Sequence, residues 1–200
     1  MNINIDLHIH TKFSGDSRIS PKIIIEQLHS HPIIKGIAIT DHDTTTGFKY
    51  VQELAIPYRD IIVIPGIEIT TLQGHLIILG IEEEPKRPLT IWEAVDFGME
   101  QGGVIIIPHP FRVGGIAEIA EELNAHAVEV YNPHAADEEN NQALKLAKIR
   151  GLAKTAGSDC HHIDGMWTAY TEIDAEPAVD SILNAIKLGK TKPHKLGPAP

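Results

Sequence analysis

The sequence predicts an α/β domain built on a mainly parallel sheet. Three observations carry this. Short β-branched runs alternate with amphipathic helical stretches, several of those runs are almost continuously apolar, and no Ser/Gly linker, repeat or low-complexity tract interrupts the pattern. The alternation alone fits either a closed barrel or an open, doubly wound sheet. The strand candidates are Ile3–Ile9, Gly36–Thr40, Ile61–Ile64, Ile67–Ile69, His75–Ile81, Val104–Ile107, Ala127–Tyr131 and Thr168–Ile173. Ser20-Pro21 reads as an N-cap with proline in the first turn, opening a helix to about Ser30. Thr90–Gln101, Ala135–Arg150 and Pro177–Leu188 read as further helices, the last two stopped by Gly151 and Gly189. Shorter helices are expected near Gly47–Ala55 and Ile116–Leu123. Residues 1–190 form the expected domain, and the Pro- and Lys-rich Thr191–Pro200 a surface tail.

Composition narrows the function. The 200 residues are 42% hydrophobic and 22% charged, enough to bury a core, and no apolar run is long enough for a membrane span. The N-terminal residues lack the basic and apolar regions of a secretory leader, and a single cysteine, Cys160, rules out an internal disulfide framework; a cytoplasmic setting is the expectation. A formal net charge of −10 argues against a stable nucleic-acid complex. Neither G-x-G-x-x-G after the first strand nor G-x-x-x-x-G-K-[ST] occurs. Twelve histidines are a marked excess, and histidine is the commonest protein ligand for metals.

The histidines and carboxylates fall at the C-terminal ends of the strand candidates, where parallel α/β folds place their active sites. His8 and His10 lie two apart in DLHIHT, on one face of the first strand, with Asp16 beyond a Ser-Gly turn. His42 sits between Asp41 and Asp43 in ITDHDT, and Glu68 among apolar neighbours in PGIEIT. His75 opens HLIIL, His109 lies between prolines in PHP, and Asp159 and His161 form a second i, i+2 pair in GSDCHH. Singly each has a bland reading: an incidental H-x-H, a strand-edge charge, a core histidine. Together they would bury clustered imidazoles and carboxylates at one end of one sheet, which is costly unless the groups are paired or bind metal.

In this order the motifs DLHIHT, ITDHDT, PGIEIT, PHP and GSDCH resemble the polymerase and histidinol phosphatase (PHP) family over nearly the whole chain, from Asp6 to about His161. The resemblance implies a distorted (β/α)7, TIM-like barrel with two to three divalent ions, and hydrolysis of phosphate esters. It implies one ion on His8, His10, Glu68 and Asp159, a second on Glu68, His75 and His109, and a third on Asp16, His42 and His161. Glu68, Asp159 and Arg112 are the candidate catalytic residues. Six imidazoles and three carboxylates with open positions are the mark of a catalytic rather than a structural site, and suit Zn2+, Mn2+ or Fe2+. Metal-bound water can reach a pKa of ~7, so a bridging hydroxide is the expected nucleophile.

Around these, Arg112 is expected to clamp a phosphate oxygen, its bland alternative being a salt bridge to Glu118, Glu121 or Glu122. Lys12, Ser14 and His134 are weaker substrate candidates, and Asp41 is expected to orient a histidine. His162 should point away from the site. His29, His31, His126 and His194 read as surface or helix residues, and Glu82–Glu84 and Asp137–Glu139 as solvated acidic runs. The expected substrate is a small phosphorylated metabolite or a nucleotide-like phosphate. Alternatives are an exonuclease or oligonucleotide phosphodiesterase, a hydrolase of carbon–nitrogen bonds, and a non-catalytic metal-stabilised scaffold. About 25 residues separate Asp43 from Glu68, and about 25 separate Asn132 from Gly157, which leaves no room for a large cap.

Overall fold

The computed structural model describes residues 1–197. Its elements run β1 (Asn2–Ile9), α1 (Pro21–Ser30), β2 (Gly36–Ile39), α2 (Thr46–Ala55), β3 (Ile62–Ile64), β4 (Gly66–Thr70), β5 (His75–Leu79), α3 (Ile91–Glu100), β6 (Val104–Ile107), β7 (Ala127–Tyr131), α4 (Asp137–Arg150), β8 (Ala153–Ala156), β9 (Ala169–Asp174), α5 (Val179–Lys187) and β10 (Thr191–Lys195). The helix starts follow local chemistry. Ser20 accepts from Ile23 N at α1, Thr90 and Glu93 form a reciprocal capping box at α3, and Glu139 accepts from Ala136 N at α4. Gly151 ends α4 in the left-handed conformation, at φ 65°.

The strands form two five-stranded mixed sheets, ordered β10-β9-β1-β2-β3 and β4-β5-β6-β7-β8, not one closed seven-stranded barrel. Short links account for part of the departure from an all-parallel barrel. Only Pro65 separates β3 from β4, and residues 71–74 join β4 to β5. A parallel crossover needs roughly a dozen residues or more, so β5 turns back antiparallel to β4; it also pairs antiparallel with β6, across the longer link that carries α3. Parallel pairing holds for β1-β2-β3 and β6-β7-β8. The sheets meet along two isolated bridges, Ile9 to Cys160 and His42 to Glu68.

Three apolar clusters hold this arrangement. Ile3, Ile5 and Leu7 face Ile77, Leu79, Val104 and Ile106 between the sheets, closed by Ile182 and Ile186 of α5. One outer cluster packs α3 and α4 on the second sheet, and another packs α1 and α2 on the first. Two expectations are corrected here. Thr191–Lys195, assigned to a tail, is an edge strand paired antiparallel with β9; residues 198–200 of that assignment lie outside the described residues. Ile116–Leu123 is a run of turns rather than a helix, tied down by the Arg150 guanidinium, which donates to the carbonyls of Ala120, Glu121 and Leu123. The strand β8 has no counterpart among the sequence candidates, because Ala-Lys-Thr-Ala carries little β signal of its own.

Candidate metal centre

All nine predicted ligands converge on the seam between the two sheets. The first sheet brings His8 and His10 at the end of β1, Asp16 from the following loop, and His42 after β2. The second brings Glu68 on β4, His75 on β5, His109 after β6, and Asp159 and His161 after β8. Their donor atoms form three overlapping groups, within each of which every atom lies within 4.8 Å of the others: His8/His10/Glu68/Asp159, His10/Asp16/His42/His161, and His42/Glu68/His75. The last closes through His42 where the resemblance assigns His109, although His109 Nε2 also lies 3.2 Å from Glu68 Oε1.

Glu68 is the hub. Its Oε2 lies 3.0 Å from His8 Nε2 and 3.1 Å from His10 Nε2, while Oε1 lies 3.1 Å from His75 Nδ1. Asp159 Oδ1 is 3.3 Å from both His8 Nε2 and His10 Nε2. His161 Nε2 and His42 Nε2 face Asp16 Oδ2 at 3.1 and 3.5 Å. Close packing at the seam makes this possible. A Cβ on Gly157 would fall on the backbone of His8, 2.8 Å from its nitrogen, so β8 passes β1 here only as glycine.

The donor chemistry fits a cation. His8 Nε2 and His10 Nε2 lie 3.1 Å apart. Their Nδ1 atoms are engaged elsewhere, by Glu129 Oε1 at 2.9 Å and Ser14 Oγ at 3.1 Å. A carboxylate only accepts, which assigns the His8 proton to Nδ1 and turns its Nε2 lone pair toward His10 and two carboxylates, whereas the Ser14 hydroxyl can donate or accept. Buried Nδ1 atoms of His42 and His109 have no hydrogen-bond partner among the described residues, and that of His75 faces the Glu68 carboxylate. Without a cation, protons must take its place. Burial opposes charge on His8, yet Asp159, Glu129 and Glu68 raise its pKa well above the ordinary value, and His10 is pushed to about 9 against its burial by Asp159 and Glu68. Burial would raise Glu68 and Asp159, but His8 and its neighbours hold both well below the carboxylate range. Burial lowers His42 and His161.

Several supporting groups were not legible as such. Glu129, buried on β7, joins His8 Nδ1, accepts from His109 N at 3.0 Å and from Asn132 Nδ2 at 2.9 Å. Asn132 also donates to Asp159 Oδ2. A carboxylate within the apolar run AVEVY was the available signal. Asp41 does not orient a histidine: it accepts from Thr11 N and Thr11 Oγ1, pinning the first loop, and burial pushes its pKa up to about 6. Ser14 Oγ bonds His10 and accepts from His42 N, coupling two of the predicted ligands.

Arg112 pairs with none of Glu118, Glu121 or Glu122; its Nη1 donates to Asp159 Oδ2 at 2.7 Å. Lys12 lies over the Phe13 ring. His134 N is held by Asn132 Oδ1, and its ring joins none of the three donor groups. His162 is exposed. His29 pairs with Asp60, His31 packs by Trp167, His126 accepts from Ile105 N, and His194 stacks on Tyr170. Glu82–Glu84 is exposed as expected, and Glu84 in addition accepts from Thr44 Oγ1 and Thr45 N at the start of α2.

The chain is 33% identical to an uncharacterised protein of Methanocaldococcus jannaschii, over 93% of this chain and 80% of the relative. The PHP-associated family model matches residues 137–191. The chain belongs to the PHP family. Solved structures share its fold at low identity. A protein from Bifidobacterium adolescentis, provisionally named a metal-dependent phosphoesterase, superposes with a TM-score of 0.64 at 18% identity, over 78% of this chain and 87% of that one. The lesion-specific endonuclease Q of Pyrococcus furiosus superposes at 0.72 and 14% identity, over 96% of this chain and 58% of that one. As a PHP member, the chain has an α/β fold whose polar seam carries clustered His, Asp and Glu groups suited to divalent metals.

Proposed function

We propose that this PHP protein is a metal-dependent phosphoesterase acting on a small phosphorylated metabolite or a nucleotide-like phosphate. The observation that carries the reading is Glu68, whose two carboxylate oxygens face different sets of imidazoles, so that neighbouring donor groups share one bridging side chain. His8, His10, Glu68 and Asp159 would hold one ion, Glu68 with His75, His109 or His42 a second, and Asp16, His42, His161 and His10 a third. When bound, such ions supply Lewis acidity that polarises a phosphoryl group and acidifies water.

The chain's own residues do the positioning. Glu129 keeps the His8 proton on Nδ1 and Ser14 Oγ engages the His10 Nδ1, so both Nε2 atoms face the centre. Arg112, anchored on Asp159, lines the same cavity as His75 and His109 and presents a guanidinium to an anionic oxygen. The cavity is small, about 150 Å³, enough for a phosphoryl group beside the donor sets.

The experiment is a substrate panel of phosphomonoesters, phosphodiesters and short single-stranded oligonucleotides, run on protein loaded with Mn2+, Zn2+ or Fe2+ and again after chelation. Hydrolysis of at least one monoester that disappears on chelation is expected. Full metal occupancy without hydrolysis of any ester would overturn the reading. The likeness to an endonuclease keeps a nucleic-acid substrate as the second reading; the net charge of −10 weighs against it.

A further inference from the structure

The metal cavity does not end at Arg112. The same side chain lines a second, larger cleft of about 400 Å³, whose walls include Gln73, Phe111, Ile116, Glu118 and Ile119. We propose that this cleft receives the alcohol portion of the substrate and selects phosphomonoesters of an uncharged, partly apolar ring alcohol, such as a nucleoside or an aryl alcohol, over polyanionic strands. The inference rests on the phosphoesterase reading and assigns its substrate class.

Four features of the molecule lead there. The first is continuity: Arg112 Nη1 is held by Asp159 at 2.7 Å, which fixes the guanidinium at the boundary between the two spaces. A phosphoryl group on one side of it places the ester substituent within reach of the other. The second is size, since the cleft falls in the ~300–1,000 Å³ range of small-molecule sites. The third is chemistry. Phe111, Ile116 and Ile119 offer a ring and two aliphatic walls, and Gln73 an amide. Glu118 adds the cleft's carboxylate, with Glu121 and Glu122 close behind it in sequence. A second phosphate there would meet that carboxylate with Arg112 already committed to the first, a repulsion that disfavours oligonucleotides and bisphosphates.

The fourth is rigidity. The wall at 116–123 is not a loose loop: Ile116 and Ala120 are buried, and Arg150 grips the carbonyls of Ala120, Glu121 and Leu123. Opposite, Gln73 Oε1 accepts from Ile91 N at 2.9 Å, which ties that side chain to the start of α3. A preformed cleft retains more of its contact energy on binding. In the reaction, water oxygen bonds to phosphorus, the ester P–O bond breaks, and the alcohol leaves through the cleft carrying one of the water's protons.

The test compares kcat/KM for a nucleoside 5′-monophosphate, an aryl phosphate, glycerol phosphate, a nucleoside 3′,5′-bisphosphate and a short oligonucleotide. It uses metal-loaded wild type, Ala117→Trp, which fills the cleft from its half-buried wall, and Glu118→Lys. In Ala117→Trp the ratio of nucleoside or aryl ester to glycerol phosphate should fall by about tenfold or more, mainly through KM. In Glu118→Lys the bisphosphate should gain on the monophosphate by about threefold or more. Thermal melts identify a variant that fails to fold, and Phe111→Ala then supplies a second reading of the same ratio. Unchanged ratios in folded variants overturn the cleft assignment alone, and wild-type preference for the oligonucleotide overturns it together with the small-substrate reading. A wild type inactive on every ester overturns the phosphoesterase reading and this one with it.

Discussion

Glu129 Oε1 lies 2.9 Å from His8 Nδ1, joining β7 of one sheet to β1 of the other across 121 residues of sequence. Both side chains are almost wholly buried, and the second oxygen of Glu129 accepts from His109 N and Asn132 Nδ2. One carboxylate thus sets the His8 tautomer and the backbone that carries His109. Glu129→Gln keeps the shape and loses the charge. It should weaken metal affinity or kcat by about 10–100-fold with little loss of fold, read by metal titration and steady-state kinetics. Wild-type values for both would remove Glu129 from the site's support.

Metal removal should act on stability as well as activity. With free metal about a hundredfold above Kd, the native state gains about 2.7 kcal/mol, roughly 5–10 °C in Tm for a chain of this length. Calorimetry of chelated and reloaded protein measures this. Identical melting curves would show that the imidazole and carboxylate groups hold no ion.

Arg112→Ala removes a charge-assisted contact from the cavity and releases Asp159 Oδ2. A loss of about 10–100-fold in kcat/KM is expected. Arg112→Lys should recover little of it, because a point charge cannot reproduce the planar fork. Kinetics indistinguishable from wild type would mean that the guanidinium serves Asp159 alone.

Asp6 gives the molecule a pH dependence. Its Oδ1 accepts from His8 N and Ser158 N, Oδ2 is buried without a partner, and burial pushes its pKa up to about 7. The folded protein therefore holds this proton where the unfolded chain, with an Asp pKa near ~3.9, has lost it. The stability it contributes is full below pH ~4 and declines as pH rises through about 7. Asp6→Asn keeps the Oδ1 acceptor and cannot ionise. Compared with wild type, its stability in chelator should fall less between pH 5 and 8 in denaturant titrations. Parallel curves for the two proteins would contradict the assignment.

Gly157→Ala should cost about 1–3 kcal/mol and displace His8, since the added carbon meets the backbone that carries this predicted ligand. A denaturation midpoint and activity both equal to wild type would show that the seam is looser than its geometry implies.

How much of this was legible before folding differs from residue to residue. His8 and His10, or Asp159 and His161, are readable because side-chain alternation along a strand is a two-residue rule. The start of α1 is equally local, as Ser20 and Pro21 carry it alone. The roles of Glu129, Asn132 and Asp41 are not legible because the groups they support, His8, Asp159 and Thr11, lie far from them in sequence. Their neighbours in sequence say nothing of which imidazole or loop they meet. The edge strand β10 was hidden for a similar reason: Thr-Lys-Pro-His-Lys has no apolar alternation, and only the exposed side of β9 makes it a strand.

The chain by itself determined the kinds of donor, their order and their places at strand ends, and with them the α/β class and the family. Those properties follow from residue chemistry and short-range periodicity. Folding decided that the strands would divide into two sheets, that the donors would meet along the join, and that Arg112 would stand between two cavities. Such outcomes depend on which distant strands pair and how their apolar faces pack. That free energy is shared over many residues and written in no single stretch of sequence.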